Sequence, residues 1–292
     1  MANVRIYSDY DVAVLGESTD VGEGPVFDPR TGRLVWLDIY GRSVYEDDLV
    51  TGRHMVHDVG MMIGAVVPRA DHDGFAVAVA DGFGFLTDSG LEIVDRVLPE
   101  SNLRMNDGKV DSHGRFWAGS NDMEFAKGQG RLHRWDGESP SVVVADGLVL
   151  PNGLGWNIED TVMYLADSYA NLLYRADFHA ETGAIGPLEV LTQTDEPGVP
   201  DGLAVDVEGC FWVAMHGGRE VRRYDPTGRV VGVVPLPVLQ PTSCAFGPGG
   251  RLYVTSARNG LSPAQLAGYP LSGAVFAVDT GTAGVPVQSF RA

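Results

Sequence analysis

Cysteine is nearly missing from this 292-residue chain, which has only Cys210 and Cys244. Two are too few for a disulfide framework. Both lie in strand-like contexts, so they read as buried or half-buried thiols of a protein kept in a reducing cytosol. Basic residues are scarce as well: 21 Lys and Arg stand against 39 Asp and Glu, giving a formal net charge of -18 and a pI near 4.6. A field of that sign repels nucleic acid and anionic membranes and attracts cations, so neither polyanion is expected as a partner. No apolar run approaches a membrane span, and MANVRIYSDYDVAV at the N-terminus has no apolar signal core. A cytoplasmic protein without a membrane partner is the expectation. Helical periodicity is absent too; Leu261 to Leu266 could make one turn at most. There is no His/Cys zinc spacing, no P-loop, no dinucleotide fingerprint and no GxSxG. No linker or charge block divides the chain, so residues 1–292 are expected to form one domain.

What the chain has in quantity is turn residues, 38 Gly and 17 Pro, spread evenly. They punctuate a repeat. VFDPRTGRLVWLD, VPRADHDGFAVAV, VDSHGRFWAG, WNIEDTVMYLAD, VDVEGCFWVAM and FGPGGRLYVTS share one pattern: an apolar residue, a polar turn, then an aromatic or valine-rich strand. Their turn positions are Gly32, Gly74, Gly114, Asp160, Gly209 and Gly250, at intervals of 42, 40, 46, 49 and 41. A second series of six, ending in Gly52, Gly90, Gly137, Gly183, Gly228 and Gly281, interleaves with the first. Two hairpins per unit, six times over, predict an all-β six-bladed β-propeller with four antiparallel strands per blade. The residues before Gly32 and after Gly250 together supply the sixth unit. The N-terminal strand, Val12 to Leu15, is expected to complete it and close the ring, which removes a free edge. Trp36, Trp117 and Trp212 fall at matching positions and are expected to pack between blades.

The first strand of each blade of a propeller lines its channel. Counting back from the turns places Glu23, Asn106, Asn152 and Asp201 at one level, with Thr242 in the last blade and Val66 in the second. Glycine follows directly in EGP, PNGL and PDGL, and one residue later in NDG. Such a glycine allows close backbone approach or a positive φ. Two carboxylates and two carboxamides converging from distant sequence suit a hard divalent cation such as Ca²⁺, Mg²⁺ or Mn²⁺. Without one, the carboxylates would repel and one would be driven to protonate. Such a cation could be catalytic or could simply tie the blades together; the spacing leaves both open. Arg104, two residues before Asn106, points toward the same mouth. It could grip a substrate oxygen or pair with a channel carboxylate. Glu124 lies on a loop able to fold over the pocket, and Tyr169 and His216 end strands of the blades that carry Asn152 and Asp201.

Five separated stretches, VGEGPVFDPRTGRLVWLDI, RMNDGKVDSHGRFWAG, LPNGLGWN, VPDGLAVDVEGCFWVA and TSCAFGPGGRLYVTSA, resemble the gluconolactonase and regucalcin (senescence marker protein) family. The likeness runs through all six units in order. It implies a six-bladed propeller with one divalent metal ion in the channel (Ca, Mg, Mn or Zn) and hydrolysis of a sugar lactone. By that likeness Glu23, Asn152 and Asp201 would be metal ligands and Asp201 also the base. Arg104, Asn106 and Glu124 would bind substrate. The chain departs from the family's usual pattern at NDMEF, where a Thr-Met pair commonly follows the glycine. Two other readings stand beside the lactonase: an esterase or organophosphate hydrolase on the same metal site, and a non-catalytic calcium-binding regulator. A monomer or weak homo-oligomer acting on a small sugar lactone is the expectation.

Overall fold

The computed structural model describes residues 4–14, 18–98 and 102–291. Six antiparallel sheets follow one another along the chain. Their first strands are Gly22–Asp28, Ile63–Pro68, Leu103–Val110, Pro151–Trp156, Val199–Val205 and Gln240–Phe246. Each first strand touches the first strand of the next sheet, and the sixth touches the first, so the ring closes around a channel. The fold is the six-bladed propeller that the repeat predicts. Closure is by the strand Tyr10–Val14, which pairs antiparallel with Val275–Asp279 at the outer edge of blade six. Of the stretch expected to do this, Leu15 lies outside the described residues.

The turn chemistry explains the repeat. All six positions of the first series adopt positive φ, and so do all six glycines of the second. Asp160 takes the place of glycine in blade four at φ 54, a left-handed conformation that Asp tolerates better than most residues. Between blades the packing is aromatic. Trp117 meets Trp156 and Phe178 of blade four, and Trp212 meets Phe246 of blade six. The indole N–H groups of Trp36, Trp117 and Trp212 donate to Asp47, Asp111 and Asp206 at 2.7, 2.8 and 2.9 Å. A buried indole therefore keeps its hydrogen bond while its ring fills the gap between blades.

Three features go beyond four strands per blade. Arg5–Ile6 adds a parallel strand to the edge of blade five, and Ala184–Ile185 adds a short one to blade four. Pro263–Gly268 forms a short helix, longer than the single turn expected from the sequence. Its length comes from local chemistry rather than periodicity. Ser262 and Gln265 cap each other reciprocally, with Pro263 in the first turn, a signature that needs no apolar stripe. The C-terminal segment then recrosses the molecule. Val285 N–H donates to Val205 of blade five, Phe290 N–H to Pro68 of blade two and Arg291 N–H to Gly114 of blade three. No helix among the described residues is long and apolar enough to cross a membrane.

One core residue titrates. His133 is 1% exposed; its Nε2 sits 2.8 Å from Ser120 Oγ and, among the described residues, its Nδ1 has no hydrogen-bond partner. Burial, with the nearby charge of Arg131 second, pushes its pKa down to about 4. The unfolded chain takes up this proton below its ordinary value near 6.5 while the folded chain does not. Stability is therefore fully present above about pH 6.5 and drains away as pH falls toward 4. Urea unfolding at pH 7 and pH 5 should show this directly. The wild type should lose about 2 kcal/mol more between those pH values than His133→Gln, which does not titrate. Equal losses in the two proteins would mean that His133 titrates normally.

Candidate functional site

The site is built by one irregularity that recurs around the ring. In each blade the pairing of the first strand with the second slips partway along. The residues left out of the ladder are Gly24–Pro25, Gly64, Asn106–Asp107, Asn152–Gly153, Asp201–Gly202 and Thr242–Ser243. A bulge re-aims side chains that regular pairing would alternate. Here it turns polar residues into the channel. The glycines make this possible in two ways. Gly24 has φ 53, where a side chain would be strained. Gly153 and Gly202 face neighbouring blades: a Cβ on Gly153 would stand 2.3 Å from Leu203 N, and one on Gly202 1.9 Å from Ser243 Oγ. These two glycines let adjacent blades approach each other rather than a ligand.

At one mouth of the channel this produces a cavity of about 260 Å³ lined by Glu23, Arg104, Asn106, Asn152, Asp201 and Thr242, with Tyr40, Phe125, Tyr169 and His216 around them. Asn152 Nδ2 donates to Asp201 Oδ1 and, at 3.0 Å, to Ser168 Oγ. Arg104 Nη1 donates to Asn106 Oδ1 at 2.9 Å and Met105 O at 3.0 Å, and Asn106 Nδ2 donates to Pro151 O at 3.0 Å. Both ends of the Asn106 amide are thus engaged, one tying blade three to blade four and the other steadying the guanidinium. Thr242 Oγ1 donates to Gly22 O and lies 2.9 Å from Thr255 Oγ1, so its hydroxyl is spent between blades.

The electrostatics of the cavity would suit a cation. Glu23 and Asp201 are 4% and 7% exposed. Burial, and next the negative charge of Asp201 on Glu23 and of Asp107 on Asp201, raises both well above the ordinary carboxylate range. Arg104 opposes this only partly. Asn152 Oδ1 is buried and, among the described residues, has no hydrogen-bond partner, although an orphaned buried acceptor is costly. Two repelling carboxylates beside an unsatisfied amide oxygen fit a hard divalent cation. Among the described residues no group of three His, Cys, Asp or Glu is placed to hold a metal ion.

The structure brings together Glu23, Arg104, Asn106, Asn152 and Asp201, along with Tyr169 and His216. Burial keeps His216 below its ordinary value, hence neutral, and burial followed by the charge of Asp201 raises Tyr169. It does not bring in Glu124, which is exposed and absent from the cavity wall. Asp122 Oδ1 accepts the backbone N–H of Glu124 at 2.9 Å and of Ala126 at 3.3 Å. That tight loop, with Phe125 at φ 58, presents Phe125 to the cavity, edge-to-face with Tyr169 at 4.6 Å. Phe125 gives no signal in sequence, because its placement depends on a left-handed backbone. Val66 also proves not to be the ring position of blade two. The slip there falls at Gly64, which packs against the backbone of Asn106. Asp107, buried inside the channel, is a further charged group whose separation from the following glycine's usual place in NDG is its only sequence signal. Burial pushes its pKa to about 6, against the pull of Lys109.

With this geometry in view, the family model described as the SMP-30/gluconolactonase/LRE-like region matches residues 21–258. Regucalcin of Danio rerio is 33% identical over 95% of this chain and 97% of its own length. A 6-deoxy-6-sulfogluconolactonase of Pseudomonas putida is 34% identical over 90% of this chain and 92% of its own. The crystal structure of a calcium-binding protein, regucalcin, from Agrobacterium tumefaciens superposes with a TM-score of 0.91 at 28% identity, covering 99% of each chain.

Raised carboxylates would compete with a cation for protons, so affinity for a cation at this site should fall as pH is lowered and binding should release protons. Calcium titrations by calorimetry in buffers of different ionisation enthalpy should show that release. Asn152→Ala should weaken the ion roughly tenfold or more without loss of fold. Unchanged affinity in both Asn152→Ala and Glu23→Gln would place the ion elsewhere.

Proposed function

We propose, from the premise that this chain belongs to the SMP-30/gluconolactonase/LRE-like family, that it hydrolyses a sugar lactone to its aldonic acid with one divalent cation. The observation that carries this reading is the orphaned Asn152 Oδ1 in a cavity lined also by the buried carboxylates Glu23 and Asp201 and by a buried guanidinium. The relative named as a sulfogluconolactonase gives the substrate class.

Glu23, Asn152 and Asp201 would hold the cation, which when bound would supply Lewis-acid polarisation of the lactone carbonyl. The remaining work belongs to the chain. Arg104, held by Asn106 and the Met105 carbonyl, orients the lactone through its oxygens. Phe125 and Tyr169 wall one side with aromatic surface, which suits the C–H face of a sugar ring and limits water to the far side. Asp201 spends Oδ1 on Asn152. It takes the proton of the attacking water through an oxygen turned away from the cation. The water oxygen bonds to the carbonyl carbon, the ring C–O bond breaks, and the proton passes to the departing ring oxygen. The products are a carboxylic acid and a free hydroxyl.

A calcium-binding role without turnover is favoured by one observation, the close fold match to a protein described as calcium-binding. Asp201→Asn separates the two. It keeps an oxygen for the cation and loses the proton acceptor, so cation binding should largely persist while kcat falls about 10²–10⁴-fold. Parallel loss of binding and turnover would make Asp201 a ligand alone. A cation-loaded wild type that opens no aldonolactone would leave the binding role.

A further inference from the structure

The channel has a second cavity at its other end. It encloses about 280 Å³ between the C-terminal halves of the first strands and the strap formed by Val285, Pro286, Val287 and Gln288. That strap is pinned across the opening, from Val205 of blade five to Pro68 of blade two. The walls are mostly apolar and include Val26, Val66, Val67, Val110, Trp156 and Phe246. Against them stand Asp107, Lys109 and Ser243. The chain has only two lysines, Lys109 and Lys127, and it places one of them inside the channel.

Lys109 belongs to blade three, yet its Nζ donates to Leu203 O of blade five at 2.6 Å. An ammonium carries three donors, and among the described residues this one makes no second hydrogen bond. Asp107 Oδ1 accepts the Gly108 N–H at 2.7 Å, and among the described residues its other oxygen has no hydrogen-bond partner. The side chains therefore present unspent donors and an unspent acceptor to one chamber. Trp156 on the same wall keeps its indole N–H buried without an acceptor among the described residues, while Trp36, Trp117 and Trp212 each have one. A mostly apolar pocket with a few polar groups at one end is the usual form of a small-molecule site.

We propose that this chamber binds a small uncharged molecule with an apolar body and a single hydroxyl group. The two charged groups in the channel, Lys109 and Asp107, sum to zero, while Asp160, also on the wall, is only half-buried. An anionic head would face Asp107, and a cationic one Lys109. A hydroxyl can donate to the carboxylate and accept from the ammonium at once, leaving the body against the valines, Trp156 and Phe246. The proposal is independent of the lactonase reading, because none of its residues holds the cation or meets the lactone.

Benzyl alcohol, toluene, benzoate and benzylamine serve as probes, titrated by NMR into the wild-type protein. Benzyl alcohol should bind saturably at one site, roughly tenfold tighter than toluene, with both ions weaker than the alcohol. Ala245→Phe and Val287→Phe each fill the chamber and should abolish binding, with folding checked by circular dichroism. Lys109→Met should erase the preference for the alcohol over toluene. Wild-type crystals soaked in 4-bromobenzyl alcohol should show the bromine signal between Lys109 and Val287. No saturable binding to the wild type, a bromine signal elsewhere, undiminished binding in a folded filling variant, or an intact preference in Lys109→Met would each overturn the proposal.

Discussion

In all six blades the first strand slips out of register with the second at a corresponding depth, and the channel chemistry depends on that slip. Regular pairing would send Asn106 and Asp107, or Asn152 and Gly153, to opposite faces of the sheet. The slip instead frees them from the ladder, and Asn106, Asn152, Asp201 and Thr242 meet in one cavity with Glu23, the last paired residue before the slip in blade one. The glycines beside them set how near the blades can come. With Cβ positions 2.3 Å from Leu203 N and 1.9 Å from Ser243 Oγ, neither Gly153 nor Gly202 could carry a side chain without spreading the ring. Ring radius and site geometry are therefore one constraint.

Charge follows from the same constraint. Packing the ring this tightly takes Glu23, Asp107 and Asp201 out of water together, and desolvation is the leading reason that all three are raised. Arg104 and Lys109, also inside the channel, offset part of the repulsion. In the proposed reading, the Asn152 oxygen, unsatisfied among the described residues, would share a bound cation with Glu23 and Asp201. The strongly acidic composition assists from a distance by drawing cations to the surface.

Much of this was legible in the sequence because it is carried by periodicity. Turn residues needing positive φ recur at blade intervals, and polar residues recur at a fixed offset before them. From these came the blade count, the closure by the N-terminal strand, and the meeting of Glu23, Asn106, Asn152 and Asp201. What escaped depends on irregular backbone. Counting residues led to Val66 in blade two, because the slip there comes earlier and falls on Gly64. Glu124 was expected over the pocket, but the left-handed conformation of Phe125 turns the loop by one residue and presents the aromatic ring. The ring offset also gave Thr242 no distinct status, yet its hydroxyl is used between blades. The family likeness supplied the division of labour among ligands, base and substrate-binding residues, which spacing alone leaves open.

The most direct test of a cation-assisted lactonase at this ring is metal depletion followed by refilling, with gluconolactone opening followed by a pH indicator. The account predicts that depleted protein is inactive and that one equivalent of a suitable divalent cation restores acid release. It also predicts that Glu23→Gln at the same cation concentration stays largely inactive. Full turnover by the depleted protein, or equal recovery in Glu23→Gln, would contradict it.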